Sequence, residues 1–405
     1  MHRDLTAARW AFVVASGFAA MAVVHPERAR AASDARPLQV SAAPRGSSDA
    51  LAADAAKARD AGRLEEALEL YRKALASRAD WDEGRWYVAS LLYELDRYAE
   101  ARDAFAEVLK QQPTHAGALG LKGLCEFELR NYERALGDLL EAGKMGVSRS
   151  PGISTVVRYH TAILLTRFGE FELANQMLSE LAAQTAETPQ MIEAFGINVL
   201  RMPVLPGELP ADARDRVGLA GRAGYAMAAR HMDAARIALD ELIARYPKTA
   251  HAHYARGVFL LTESADRALE DFRRELELSP SHVPARLQIA FELIKRGEPA
   301  RARDAAEEAA TLAPGHFATR LAVGQVRLEM NEVDQAIPEL EQAVALAPGS
   351  PQTHFILAKA YARAGRTVDA ERERSEFTRL DQLVRALRNG LPSVGGIPSV
   401  GPGRQ

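Results

Sequence analysis

The chain is poor in cysteine and in aromatic residues. Among its 405 residues there is a single cysteine, Cys125, and Phe, Trp and Tyr together make up 6%. One cysteine cannot form an internal disulfide, so the fold must be stabilised by packing. Cys125 lies in the apolar stretch GLCEFEL with no identifiable basic partner, so we interpret it as a small buried residue and not as a nucleophile.

The motifs that carry common chemistries are also missing from the sequence. It contains no GxxxxGK[ST] phosphate loop, no HExxH, no GxSxG and no paired cysteines at metal spacing. His251 and His253 are two residues apart, so on a helix they point in nearly opposite directions and cannot share a metal. We therefore predict a protein that is not an enzyme and that has no cofactor and no metal site.

A run of three glycines resembles a nucleotide-binding fingerprint. Gly218, Gly221 and Gly224 form G-x-x-G-x-x-G, which has the wrong spacing and lacks a preceding strand. We predict instead that these glycines let two helices pack closely.

No segment shows the alternation of β-branched residues that predicts a strand. The chain is 47% hydrophobic and 26% charged, and it is rich in Ala, Leu, Glu and Arg, which are strong helix formers. The net charge of −3, with both signs interspersed, provides no basic stripe and argues against nucleic acid as a partner. The composition predicts an all-α fold.

Small residues recur every 34 positions in a constant setting. A glycine or short polar residue stands five positions before, a large apolar residue about four after, and often a proline twelve after. The recurring alanines are Ala67, Ala101, Ala135, Ala268, Ala302, Ala336 and Ala370, and the matching prolines are Pro113, Pro247, Pro280, Pro314 and Pro348.

Each marked position has a physical reason. Ala67 must be small because two antiparallel helices cross there, Gly62 ends the first helix where the backbone needs a positive φ, and Pro113 stops the second helix. This pattern resembles the tetratricopeptide repeat family over roughly residues 48–384. The resemblance implies a right-handed helical solenoid of about nine helix–turn–helix units.

The repeat markers divide the chain into segments. Five extra residues around 148–152 and twenty-seven at 189–215 interrupt the period. We predict a signal peptide at 1–31, a flexible leader at 32–47, units one to four at 48–188, an insertion at 189–215, units five to nine with a capping helix at 216–390, and a disordered Gly/Pro tail at 391–405.

The N-terminal segment has the build of a secretory signal. An apolar run at 10–24 is followed by Ala29-Arg30-Ala31, an A-x-A cleavage pattern. The run is shorter than the roughly twenty residues that a membrane span needs. We predict an exported, periplasmic protein; the alternative is an inner-membrane anchor formed by residues 10–24.

Two interpretations of the insertion remain open. Thr188-Pro189 is a good helix start, MIEAFGINVLR is apolar enough for a short buried helix, and the prolines that follow forbid regular helix until Asp212. The segment either folds back into the groove of the solenoid, which we favour, or marks a hinge between two halves.

The family resemblance also implies a place for function. In such proteins the first helix of each unit lines a concave groove, and rigid aromatic side chains there are good anchors for a peptide. The alternative for each residue is that it packs between adjacent first helices. The candidate anchors in this sequence are Trp86, Tyr93, Phe127, Tyr159, Tyr254, Phe291 and Phe355.

The resulting hypothesis is a scaffold that binds a protein or peptide partner. No three consecutive units reproduce the Lys and Asn pattern by which co-chaperone members of the family grip a C-terminal carboxylate, so a receptor of that kind is not expected. A membrane would be contacted only through an uncleaved N-terminal segment. The alternative function is an accessory subunit of a larger envelope enzyme or secretion complex.

Overall fold

The computed structural model describes residues 46–147 and 151–390, and this part of the chain is helical with no strand. The predicted signal peptide, nearly all of the predicted leader and the Gly/Pro tail lie outside these ranges. By contacts between residues, the chain divides into two compact units after Arg230, which we call the N-terminal and the C-terminal unit.

Within its described residues, 46–147 and 151–230, the N-terminal unit contains ten α-helices, with two short 3-10 helices, Pro206–Glu208 and Ala211–Ala213, before the last. The α-helices are α1 (Gly46–Asp60), α2 (Leu64–Ser77), α3 (Asp82–Glu94), α4 (Tyr98–Gln111), α5 (Ala116–Glu128), α6 (Tyr132–Lys144), α7 (Pro151–Arg167), α8 (Phe171–Ala182), α9 (Pro189–Val199) and α10 (Arg214–Ala228).

The C-terminal unit contains nine α-helices within the described residues. They are α11 (Met232–Arg245), α12 (Ala252–Leu260), α13 (Ala265–Leu278), α14 (Val283–Lys295), α15 (Pro299–Leu312), α16 (Phe317–Glu329), α17 (Val333–Leu346), α18 (Pro351–Arg363) and α19 (Thr367–Gly390).

Small side chains lie where the two helices of a repeat cross. The marker alanines, among them Ala101 and Ala336, are fully buried. A Cβ atom on Gly324 of α16 would come within 2.6 Å of Leu340 on α17, and one on Gly257 of α12 within 2.5 Å of Phe272 on α13. The small residue of the first helix thus makes room for the large residue of the second. The all-α repeat fold predicted from the 34-residue period is confirmed.

The turn inside most repeats uses a left-handed residue, although the turn between α12 and α13 does not. Gly62 has φ +73°, and Asp96, Arg130 and Asn331 occupy the same place with φ of 56°, 62° and 65°. The position therefore accepts a long side chain such as that of Arg130, which the sequence pattern did not include. This is possible because only the backbone is constrained there, at a cost of about 1–2 kcal/mol for a residue with a Cβ atom.

The predicted insertion forms part of the helical packing of the N-terminal unit. Its helix α9 begins after Thr188, whose hydroxyl accepts a hydrogen bond from the Met191 amide at 3.2 Å. Two 3-10 helices follow, and Leu205 and Leu209 are buried. As predicted, regular α-helix resumes only beyond Asp212.

Helix α9 packs against α10 at very short range. A Cβ atom on Gly196 would lie 2.0 Å from the Val217 carbonyl oxygen, and one on Gly221 would lie 1.9 Å from that of Ile192. Gly221 and Gly224 therefore serve close helix packing as predicted, whereas Gly218 meets only the Arg222 side chain. Helix α10 pairs with α9, and the boundary between the two units lies after Arg230, beyond the end of α10. The repeat expected at 216–249 is therefore split between the two units.

The last helix carries a charged surface. Arg372 pairs with Asp369 at 2.8 Å and Arg379 with Glu376 at 2.5 Å, each one helical turn apart. Leu380 on the same helix is buried. Such a mixed face suits a helix that ends a repeat array. Across the described ranges, no helix combines the length and the apolar character that crossing a bilayer would require.

Candidate functional site

Seven aromatic residues were predicted to line a binding groove, and all of them lie on the first helices of repeats. By helix, they are Trp86 and Tyr93 on α3, Phe127 on α5, Tyr159 on α7, Tyr254 on α12, Phe291 on α14 and Phe355 on α18. The structure gives them very different exposure.

Trp86 and Tyr93 are core residues. Each is only 4% exposed. Trp86 stacks on the imidazole of His115 with ring centroids 4.8 Å apart and meets Phe105 edge-on at 5.6 Å. Tyr93 packs edge-on against Tyr98 at 5.7 Å. In this conformation both side chains are covered by their neighbours, which is the packing alternative stated for each predicted residue, and a binding role for them stays a prediction.

The covering histidine belongs to a motif that the sequence analysis missed. Three first helices begin with a histidine whose Nδ1 accepts a backbone hydrogen bond in the first turn: His115 from Ala118 at 3.0 Å, His282 from Ala285 at 3.0 Å and His316 from Ala318 at 3.2 Å. Each histidine stands two residues after a proline, in PTH, PSH and PGH. That Pro-x-His spacing was the available signal.

Capping requires the neutral imidazole, because only an unprotonated Nδ1 can accept a hydrogen bond. Burial lowers the pKa of His115 from its ordinary 6.5, which keeps the ring in this form. His115 thus caps the N-terminus of α5 and also covers the aromatic ring of Trp86 in the preceding repeat.

Four of the predicted residues are half-buried. Phe127 and Tyr159 both pack edge-on against His160, at 4.8 and 5.5 Å. Tyr254 lies 4.7 Å from the ring of His282. Phe291 packs against the apolar core of the C-terminal unit. Each of these side chains therefore has a packing role and also keeps part of its surface accessible.

Phe355 differs from the other six because its ring is 40% exposed. It contacts Phe377 of α19 at 5.3 Å and lines a cavity of about 410 Å³ between α18 and α19. We call this cavity the terminal cradle. Its lining residues are Phe355, Ala358, Lys359, Ala362, Arg363 and Arg374.

The rim of the terminal cradle is cationic. Lys359 lies 2.6 Å and Arg363 3.4 Å from the carboxylate of Glu329, which they share. Partial burial by itself raises the pKa of Glu329, but these two cations outweigh it and the pKa is lowered. Arg374 lies 3.4 Å from Glu371, one turn earlier on an exposed face of α19.

Two histidine–acid pairs also escaped the sequence analysis. His253 lies 3.0 Å from Asp271, which also accepts from Arg256 at 2.8 Å, and His354 lies 2.7 Å from Glu373. The partners are 18 and 19 residues apart and join the first helix of a repeat to its second. All four side chains of the two pairs are buried, so we interpret them as links within a repeat.

A third cluster, His251, Glu275 and His282, brings its side-chain ligand atoms within 4.8 Å of one another. Glu275 accepts the backbone N–H groups of His251 at 2.8 Å and Tyr254 at 3.3 Å. His282 already uses Nδ1 as the helix cap, so a metal on its other nitrogen would require loss of the proton held there. The donor set is therefore better suited to hydrogen bonding than to metal ligation.

Cys125, the single cysteine of the chain, lies in the apolar core. Cys125 is fully buried, as expected for a small apolar residue, and burial raises the pKa of its thiol. Thiolate chemistry is therefore disfavoured at this position.

One curated protein is similar to this chain over part of its length. A curated human protein, "Protein O-mannosyl-transferase TMTC3" of Homo sapiens, is 25% identical over 240 residues, which cover 55% of this chain and 25% of that protein. The match thus spans only a quarter of that relative's length.

Two solved structures are also similar. MamA 41-end from Desulfovibrio magneticus RS-1 is 20% identical with a TM-score of 0.36, covering 44% of this chain and 97% of that one. The APC/C hetero-tetramer Cut9-Hcn1 is 17% identical with a TM-score of 0.37, covering 83% and 66%.

The family assignment comes from the sequence profile of the tetratricopeptide repeat. It matches residues 51–114, 88–146, 221–283 and 321–373, which together make up slightly more than half of the chain. The chain therefore belongs to the tetratricopeptide repeat family.

Proposed function

We propose that the chain is a non-catalytic scaffold that holds a protein or peptide partner against the first helices of its repeats. Membership of a family whose arrays bind other chains supports a role in protein interaction. The observation that carries the finer proposal is the terminal cradle, where an aromatic side chain that is 40% exposed lines a cavity of about 410 Å³.

The proposed binding face leaves out the two buried residues of the predicted set. In the C-terminal unit it includes Tyr254, Phe291 and Phe355, and in the N-terminal unit Phe127 and Tyr159. Partly buried aromatic rings held by their neighbours lose little conformational freedom when a partner covers their remaining surface. This makes them better anchors than the long, exposed charged side chains of the second helices, which lose more rotamer freedom on binding.

Site-specific photo-crosslinking tests the proposal. The photoreactive residue benzoylphenylalanine replaces Phe355, Tyr254 or Phe291 in turn, and Val368 serves as the control because it is 82% exposed on the second helix α19. We expect one distinct partner to be captured from the three first-helix positions and not from position 368. Equal capture at position 368, or capture there alone, would place the interaction on the outer helices.

We also propose that the protein is exported and that its mature form starts at Ala32. The support is the apolar run at 10–24 followed by Ala29-Arg30-Ala31. N-terminal sequencing of the protein recovered from the periplasm is expected to begin within a few residues of Ala32. Recovery of the intact start, MHRDL, in a membrane fraction would favour the alternative of an N-terminal anchor.

A further inference from the structure

We infer that the terminal cradle is a docking site for a peptide segment in which an aromatic ring is followed by carboxylates. The inference rests on the proposed scaffold function and names the chemistry of the partner. Two independent features of the cradle support it: the part of the Phe355 side chain that stays exposed beside Phe377, and the cationic rim next to it.

The ring requirement follows from how the equivalent position is covered in other repeats. Trp86 is covered by the imidazole of His115, 4.8 Å away, and Tyr254 by that of His282, 4.7 Å away. In both cases the covering ring comes from the start of the next repeat. Phe355 stands at the same position of its first helix, and α19 is the last helix of the described residues. A planar side chain supplied by a partner would complete the pattern.

The charge requirement follows from the cradle's ion pairs. Three cations, Lys359, Arg363 and Arg374, face two carboxylates. One of these, Glu371, is 72% exposed and pairs with Arg374 in a solvated geometry that contributes little. The rim can therefore accept a further carboxylate through charge-assisted hydrogen bonds.

Arg374 is where this repeat departs from the others. Four residues after the marker alanine, earlier repeats place Tyr71, Phe105 and Leu340, all buried against the first helix. In this repeat the marker alanine is Ala370, and the residue four positions later is Arg374, whose side chain is 56% exposed. The repeat formed by α18 and α19 has thus exchanged a core side chain for a cation at the rim of the cavity.

The cavity also has a suitable size. Its volume of about 410 Å³ lies in the range of roughly 300–1,000 Å³ that is typical of ligand pockets. A purely apolar segment would strip water from the cations without compensating their charge. A nucleic acid strand is disfavoured because the chain has a net charge of −3 and no extended basic stripe.

Three labelled peptides with amidated C-termini test the inference by fluorescence anisotropy on the full chain. Gly-Ser-Phe-Asp-Asp-Gly carries both features, Gly-Ser-Phe-Asn-Asn-Gly lacks the charge and Gly-Ser-Ala-Asp-Asp-Gly lacks the ring. We expect the first to bind about tenfold more tightly than either of the others. Equal binding of the acidic and amide peptides would overturn the charge assignment.

Variants of exposed cradle residues locate the site. Phe355→Ala and Arg374→Ala are each expected to weaken the first peptide about tenfold. Arg379→Ala is the matched control, because this arginine lies on the same helix, is 62% exposed and does not line the cavity. Circular dichroism should be unchanged in all three, since none of these side chains is buried. Binding that survives both cradle variants, or that falls equally in the control, would refute the site.

The outcome can be separated from that of the scaffold proposal. If crosslinks to a partner form at Tyr254 and Phe291 while the cradle variants bind every peptide as the wild type does, the scaffold stands and the cradle inference fails. If none of the three first-helix positions crosslinks a partner, but the acidic peptide binds and the cradle variants weaken it, the cradle site stands and the scaffold proposal fails.

Discussion

The ring of His115 shows how much one residue contributes to the joint between two repeats. Its Nδ1 closes the first turn of α5 by accepting the Ala118 amide, and its face stacks on Trp86 of the preceding first helix. The cap requires the neutral imidazole, and the stacking on Trp86 is compatible with it. An aromatic residue at that position is 4% exposed at Trp86, where the next repeat supplies this cover, and 40% exposed at Phe355, which packs against Phe377 of its own repeat.

This arrangement predicts a pH-dependent stability. The folded protein has a lowered pKa at His115, so the stability from the cap is complete above the unfolded pKa near 6.5 and is lost as the pH falls through the lower folded value. His115→Asn keeps a capping oxygen but cannot titrate. Between pH 7.5 and 5.5 we expect urea unfolding to show a larger loss of stability in the wild type than in this variant.

A second substitution at this position removes the cap and the stacked ring together. His115→Ala removes both functions and should cost about 1 kcal/mol at pH 7.5. Identical pH dependence in the wild type and in His115→Asn would show that the imidazole is not the titrating cap.

At the scale of helices, α9 and α10 cross so closely that their contact surfaces have room for glycine but not for a Cβ atom. Gly196 and Gly221 each face a backbone carbonyl of the opposite helix, so neither helix can yield by rotating a side chain. This contact holds the segment 189–215 in the N-terminal unit and explains why α10 pairs backwards with α9.

Alanine substitutions test that crossing. In an exposed helix Gly→Ala normally stabilises by about 1 kcal/mol. Gly221→Ala should instead destabilise by roughly 1–3 kcal/mol, because its Cβ atom would lie 1.9 Å from the Ile192 carbonyl oxygen. The control is Gly137→Ala on α6, where no atom lies within 4 Å of the new Cβ. Thermal unfolding that moves in the same direction for both variants would contradict the close approach.

The sequence allowed most helices to be predicted and only part of their pairing. A period of 34 residues predicts where Ala101 or Ala336 must be small, since that requirement is local to one repeat. It does not reveal that Gly196 meets α10, because the two helices are joined by an irregular stretch outside the period. The sequence left the burial of Trp86 as one of two alternatives, because its cover, His115, belongs to the next repeat and carries no apolar signal.

At the scale of the whole chain, each unit has its own apolar core. One cluster of buried residues extends from Ala55 to Tyr225 in the N-terminal unit, and another from Leu321 to Ala370 lies in the C-terminal unit. In repeat proteins stability is approximately a sum of repeat and nearest-neighbour terms, so a local defect propagates only through adjoining contacts. A defect within one of these clusters is therefore expected to disturb mainly the repeats around it.

Overpacking one crossing in each unit tests this separation. Ala101 and Ala336 are both fully buried at the crossing of two helices, so Ala101→Leu and Ala336→Leu should each cost on the order of 1–3 kcal/mol. Hydrogen exchange on the full chain should then show lost protection within residues 46–230 for the first variant and within 231–390 for the second, because each defect disturbs only its own core. Loss of protection across both ranges in either variant would indicate a single cooperative unit. Unchanged melting in both variants would instead contradict the 34-residue frame, since that frame is what places these alanines at the crossings.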